Sequence, residues 1–163
     1  MMRVMRERVW PRWSAEELAE AGCEEAETLD ELLCQSDVVS LNCPPLIEET
    51  RDLIGKHELE VMKPSAYLVN TARGECVDEA ALLMALDESV ASGGRHGIRA
   101  VALDTLAHEA RERNERLIRH PRCVVTPHSA YGSLEAADAL CLMGLQAVCE
   151  LLLEGRRPTW CVS

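Results

Sequence analysis

The 163 residues include 28 acidic and 17 basic side chains, a formal net charge of −11, in a length that fits one domain able to bury a core. With 47% of residues apolar and only 9 Gly and 7 Pro, disorder and fibrous repeats are excluded, and the acidic balance disfavours a general nucleic-acid or anionic-membrane binder. No apolar run reaches the roughly 18 residues a membrane span needs, Met1 to Trp13 lacks a signal peptide's apolar stretch, and three Trp, two Tyr and no Phe leave the core to Leu, Val, Ala and Met.

Charge changes sharply near the start: Arg3, Arg6, Arg8 and Arg12 precede eight acids between Glu16 and Glu31. Ser14-x-x-Glu17 is a capping box that opens a helix stopped by Gly22, and Thr28-x-x-Glu31 repeats the signal before Leu29, Leu32 and Leu33. Val38-Val39-Ser40-Leu41, halted by Pro44-Pro45, predicts a buried strand. Glu48 to Met62 reads as helix or turn, and Tyr67-Leu68-Val69 as a second strand leading into Asn70-Thr71-Ala72-Arg73-Gly74. Asp78 caps an Ala/Leu-rich helix through Leu86, and Ser92 to Gly97 forms a glycine-bearing loop. Arg99 to Leu103 and Cys123 to Thr126 are two further strands, separated by the charged stretch Glu109 to His120. Ser133 opens a long final helix whose apolar face is Leu140, Met143, Leu145, Val148 and Leu152, closed by Gly155. Short apolar strands alternating with amphipathic helices predict an α/β fold with a doubly wound parallel sheet.

Eight cysteines stand out: Cys23, Cys34, Cys43, Cys76, Cys123, Cys141, Cys149 and Cys161. They contain no C-x-x-C pair and no His at zinc-ligand spacing, so no metal site is expected. Reduced, mostly buried thiols in a cytoplasmic protein are the expectation.

In an open α/β sheet the ligand crevice lies beyond the carboxyl ends of the strands. The residues at those ends are Asn42-Cys43-Pro44, Asn70 to Gly74, Asp104-Thr105 and Pro127-His128-Ser129. One Arg, one Asp and one His thus converge on one edge, with Glu109 close behind Asp104. Such a set suits carbonyl reduction or alcohol oxidation: a guanidinium grips a carboxylate bidentately, a His moves the hydroxyl proton, and a neighbouring carboxylate orients the His. Each has a structural alternative: a surface arginine at a helix entry, an aspartate capping a turn, a loop histidine. Glu112 rivals Glu109.

The blocks Gln35 to Pro44, Leu68-Val69-Asn70-Thr71-Ala72-Arg73-Gly74 with Val77-Asp78-Glu79, Ala102-Leu103-Asp104, and Thr126-Pro127-His128-Ser129-Ala130, in that order, resemble the D-isomer-specific 2-hydroxyacid dehydrogenases. The likeness runs from about Ser14 to the final helix. It implies a Rossmann-like sheet and NAD as cofactor. Arg73 would then hold the substrate carboxylate and carbonyl, His128 would be the acid/base and Glu109 its partner. Asp104 would meet the nicotinamide carboxamide, and Cys43, Pro44, Thr71, Ala72 and Ala130 would line the cofactor with Arg73 and His128. Ala110, where the family usually has Pro, weakens the Glu109 match.

The resemblance also implies an incomplete sheet, lacking the first strand and the Gly-x-Gly-x-x-Gly turn that seats the pyrophosphate. Gly93-Gly94-Arg95-His96-Gly97 has the wrong spacing for that turn. The family's second strand would fall near Met5 to Trp10, its ribose-gripping acid near Pro11, and Arg12 would favour NADP only by meeting a 2′-phosphate. Residues 1–13 are thus expected as a poorly defined arm that pairs with the Val38 strand or docks loosely, 14–154 as an α/β core and 155–163 as a tail. By the same resemblance the chain is a fragment or a remnant of an oxidoreductase, a cytoplasmic homodimer acting on a small 2-hydroxy or 2-oxo acid, without membrane or nucleic-acid partners. The alternative is an NAD-sensing corepressor of the C-terminal-binding protein type, nuclear and without important catalysis.

Overall fold

The computed structural model describes residues 2–4, 14–43, 48–108 and 110–158. Strands and helices alternate: β1 (Met2–Val4), α1 (Ala15–Glu20), β2 (Cys23–Glu25), α2 (Leu29–Gln35), β3 (Val38–Leu41), α3 (Lys56–Val61), β4 (Tyr67–Asn70), α4 (Glu79–Ala91), β5 (Ala100–Leu103), α5 (Arg111–Ile118), β6 (Cys123–Val125) and α6 (Leu134–Leu152). The helix starts follow from the expected caps. Ser14 Oγ accepts from the Glu17 N–H at 3.2 Å while Glu17 Oε2 accepts from the Ser14 N–H at 2.6 Å. Thr28 Oγ1 caps α2 at 3.1 Å, Asp78 Oδ1 accepts from Ala80 and Ala81 at 2.9 and 3.1 Å, and Ser133 Oγ caps α6 at 3.0 Å. Each satisfies backbone donors that a first helical turn leaves unpaired.

Four strands form a parallel sheet in the order β3-β4-β5-β6, the α/β class expected from the alternation. Leu33, Ile54, Leu68, Leu82, Leu86 and Ile98 are fully buried and anchor the core. Leu82 and Leu86, one turn apart on α4, and Leu68 on β4 show how helix and strand periods meet on one apolar face. The segment before α4 is stitched to the chain before α3: Ile54 bridges Val77, and the Ile54 N–H donates to the Cys76 carbonyl at 3.0 Å.

Three expectations are corrected. First, β1 does not pair with the Val38 strand; it pairs in parallel with β2, Met2 opposite Cys23, as a separate two-stranded sheet. The split falls where the order 3-2-1-4-5-6 has its first strand. β1 also lies ahead of the expected Met5 to Trp10, which falls outside the described residues, as do Pro11 and Arg12. Strand β2 escaped notice because its acids hide the alternation: only Cys23 of Cys-Glu-Glu is buried.

Second, β3 is not a buried strand. It is an edge of the described sheet with alternating burial, and Val38 is 61% exposed. Third, the cysteines among the described residues are not mostly buried. Cys23 and Cys76 are buried, Cys43 and Cys123 intermediate, and Cys34, Cys141 and Cys149 exposed, Cys161 lying outside the described residues.

The chain divides into two compact units, Met1–His128 and Ser129–Ser163. The first holds both sheets. The second holds α6, on which the apolar residues Leu140, Met143, Leu145, Val148 and Leu152 are all exposed. Among the described residues no helix is long and apolar enough to cross a membrane.

Candidate functional site

Because β3 to β6 are all parallel, their carboxyl ends share one edge. That edge carries Cys43 after β3, Thr71, Ala72 and Arg73 after β4, Asp104 after β5, and His128 after β6. These are the residues singled out from the sequence. Pro44 and Glu109 lie outside the described residues, and Ala130 belongs to the second unit. Glu112, the rival of Glu109, is exposed in the first turn of α5.

The loop after β4 is built around a buried amide. Asn70 is fully buried; its Oδ1 accepts from the Ala72 N–H at 3.0 Å and its Nδ2 donates to the Arg73 carbonyl at 2.8 Å. The middle and the far end of Thr71-Ala72-Arg73 are thereby held, and Ala72 is buried while Arg73 is exposed. The Arg73 Nη1 donates to the Ala72 carbonyl at 2.8 Å. A guanidinium carries five donors, so a bidentate grip on a carboxylate survives that bond.

Gly74 follows because nothing larger fits. A Cβ there would sit 2.0 Å from the Leu106 carbonyl carbon, so the loops after β4 and β5 pack backbone to backbone. Glu79 fastens the same junction by accepting from the Ala107 N–H at 2.8 Å. Cys76, fully buried, closes the turn by donating its N–H to the Arg73 carbonyl at 3.1 Å. Burial pushes its thiol pKa up, against backbone and thiol hydrogen bonds to Arg73 and Cys43 that pull it down. Cys43 therefore touches the root of the arginine loop.

Asp104 is 6% exposed. Its N–H donates to the Asn70 carbonyl at 2.9 Å, and its carboxylate accepts from the Thr126 hydroxyl. Burying a carboxylate is costly without such partners. His128 is exposed, its N–H donates to the Thr126 carbonyl at 3.0 Å, and its φ of +52° lies in the left-handed region that L side chains rarely adopt. Asp104, Thr126 and His128, with Leu106, Ile118, Val125 and Pro127, line a cleft of about 370 Å³. A carboxylate and an imidazole thus face a mostly apolar wall, in a volume within the usual range for small-molecule sites. A larger groove of about 670 Å³ between α3 and α4 is lined by Leu59, Met62, Ala81 and Met84 and lies away from these residues.

Sequence reasoning named Arg73, Asp104 and His128 but gave no role to Asn70 or Thr126, and did not name Leu106 or Ile118. The signal for Asn70 was present: an amide at the end of an apolar strand, ahead of a loop it can clasp, is a local pattern. Nothing local marks Thr126, whose partner is 22 residues away. Among the described residues no group of three or more His, Cys, Asp or Glu is placed to hold a metal ion.

Comparison with known proteins places this edge in context. The family model described as the D-isomer specific 2-hydroxyacid dehydrogenase NAD binding domain matches residues 2–130. The chain is similar to glycerate dehydrogenase of Methylorubrum extorquens, 41% identical over 114 residues, covering 69% of this chain and 34% of that protein. It is similar to glyoxylate reductase of Aeropyrum pernix, 38% identical over 122 residues, covering 75% of this chain and 34% of that protein. A solved D-lactate dehydrogenase with NAD+ from Lactobacillus jensenii superposes with a TM-score of 0.74 at 33% identity, over 93% of this chain and 46% of that one. The chain spans about a third of the length of the curated relatives it matches.

Proposed function

This chain belongs to the D-isomer specific 2-hydroxyacid dehydrogenase family, in its NAD-binding domain, and we propose from that premise that it provides the nicotinamide end of an NAD-dependent oxidoreductase acting on a 2-hydroxy or 2-oxo acid. The observation that carries the reading is the arrival of Arg73, Asp104 and His128 on three neighbouring strand ends of one parallel sheet.

The cleft fits part of the cofactor. A carboxamide needs polar partners at the rim of an apolar slot, and Asp104 stands at the rim of a slot walled by Leu106, Ile118 and Val125. No Gly-x-Gly-x-x-Gly turn occurs in the 163 residues to meet the pyrophosphate. Bound NAD supplies the hydride chemistry. The protein's part is to grip and to move a proton: Arg73 pairs with the acid's carboxylate and polarises its carbonyl, and the His128 ring nitrogen gives or takes the hydroxyl proton. Glu109, outside the described residues, keeps in this reading the role of partner to His128. NAD is preferred to NADP, self-association as a homodimer belongs to the same reading, and so does a cytoplasmic setting. The relatives given above are a dehydrogenase, a reductase and a D-lactate dehydrogenase, so the corepressor alternative is set aside.

Titration of the ¹⁵N-labelled chain with NADH tests the proposal. Backbone signals of Asp104 and His128 are expected to shift together, with affinity weaker than micromolar because the phosphate contacts are missing, and oxamate added to the NADH complex shifts Arg73. No movement at Asp104 and His128 at saturating NADH overturns the reading, and sub-micromolar binding overturns the account of the missing loop.

A further inference from the structure

We propose that Asn70 and Thr126 are positioning residues: one hydrogen-bonded line through Asp104 sets Arg73 and His128 at a fixed spacing. The inference rests on the roles given to Arg73 and His128 above. Those two side chains hang from loops after β4 and β6, with β5 between them, so their strands are about 10 Å apart, two interstrand spacings. Loops after strands are soft, whereas a carboxylate grip and a proton transfer on one small acid require the two groups in mutual register.

The line can be followed bond by bond. The Asn70 side chain clasps the Arg73 loop at 2.8 and 3.0 Å. The same residue's carbonyl accepts from the Asp104 N–H at 2.9 Å, so the clasp and the next strand share one residue. The Asp104 carboxylate accepts from the Thr126 hydroxyl. Thr126 is fixed in turn by its N–H, which donates to the Leu103 carbonyl at 2.9 Å, and its carbonyl accepts from the His128 N–H at 3.0 Å. The end of the line holds His128 at φ +52°, a backbone state that persists only where its surroundings maintain it. Asn70 and Asp104 are buried at 0 and 6% exposure, so water does not compete for the middle of the line. Thr126 is exposed, and its hydroxyl is therefore the link that can be removed with least loss of packing.

The test compares amide spectra and hydrogen exchange of the ¹⁵N-labelled 163-residue chain with those of Thr126→Val, Thr126→Ser and Asn70→Ser. Thr126→Val is expected to speed exchange at His128 and Asp104 about fivefold, the equivalent of one net hydrogen bond. It is also expected to shift Ala72 and Arg73, two strands away, while Val39 and Leu68 stay in place. Thr126→Ser restores all four signals, and Asn70→Ser sends the reciprocal change to His128. A response to Thr126→Val confined to residues 125–128, or persisting in Thr126→Ser, overturns the proposal. Should Asn70→Ser fail to fold, the Thr126 pair decides alone. NADH added to the wild-type chain separates the two levels. Failure to perturb Asp104 and His128 defeats the functional reading, while the variant spectra still decide the line.

Discussion

The carboxyl edge of the four-stranded sheet and the helical flank formed by α2 and α3 are both rich in polar side chains, but they use them in opposite ways. At the edge, Asn70, Asp104 and Thr105 are nearly or fully buried; the Asn70 side chain clasps its own loop, while the Asn70 carbonyl and the Asp104 carboxylate accept bonds from the neighbouring strand ends. On the flank the charges face water: Lys56–Glu60 pairs at 3.7 Å with both side chains mostly exposed, and His57–Asp30 pairs at 3.0 Å with 63 and 54% exposure. The net charge of −11 is a property of surfaces like the flank, whereas the proposed chemistry sits where the carboxylate, Asp104, is buried and the exposed ionisable groups are Arg73 and His128. Polar groups set structure where water is excluded, and contribute little where it is not.

Gly74→Ala gives the largest expected effect. The new methyl would lie 2.0 Å from the Leu106 carbonyl carbon and 2.1 Å from the Ala107 nitrogen. Backbone on the other side cannot rotate away, so the loss lies at the upper end of overpacking, about 3 kcal/mol or more. Urea unfolding measures it, and a midpoint within error of the wild type would mean the edge is softer than its packing implies. Asn70→Ala comes next. It leaves the Ala72 N–H and the Arg73 carbonyl without their clasp and is expected to cost about 2 kcal/mol or somewhat more. A flank substitution such as Lys56→Ala, measured the same way, should stay within about 0.5 kcal/mol. Equal losses at Asn70 and Lys56 would erase the contrast between the two regions.

How much of this contrast was legible beforehand depends on the range of each interaction. Ser14, Thr28, Asp78 and Ser133 act on residues two or three positions away, so the starts of four helices could be read directly. Strands β3 to β6 were legible as short apolar runs, and parallel topology then sends Arg73, Asp104 and His128 to one edge. Strand β2 was not, because an acidic edge strand has no apolar period. Nor was the exposure of Val38 and of the α6 leucines, since periodicity marks an apolar face but not what covers it. The Thr126–Asp104 bond and the Gly74–Leu106 contact span 22 and 32 positions, and only the folded chain shows them. Helix α5, read merely as a charged stretch, forms with Asn114 buried beneath its start and bonded to the His108 and Ala110 carbonyls.

A smaller effect belongs to β6, next to the edge. Burial pushes the Cys123 thiol up from 9.0 to about 11, so the folded chain keeps the proton longer than the unfolded chain does. The contribution is therefore fully present below pH 9.0 and is lost as pH rises through about 11. Urea midpoints measured below and above that window should fall with pH in the wild type and fall less in Cys123→Ala. Exposed Cys34, Cys141 and Cys149 should react first with a thiol reagent, well before Cys123. A Cys123 that reacts with them would place it in water and remove the cause of the alkaline loss.

The smallest effect tests the flank itself. His57 Nε2 meets the Asp30 carboxylate at 3.0 and 3.2 Å, tying α3 to α2. The hydrogen bond and charge of Asp30 raise the imidazole pKa above its ordinary 6.5. The sign is opposite to that of an acid held ionised: the folded state favours the proton, so the pairing contributes below pH 6.5 and is lost as pH rises through the higher folded value. Asp30→Asn should return the His57 midpoint, followed by ring-proton NMR, toward 6.5, and should flatten that mild pH dependence. Both groups stand in water and are screened by salt, so the same substitution should leave the unfolding midpoint nearly unmoved at moderate ionic strength. A loss approaching that of Asn70→Ala would show that the flank bears structure as the edge does, and the distinction between the two regions would then rest on chemistry alone.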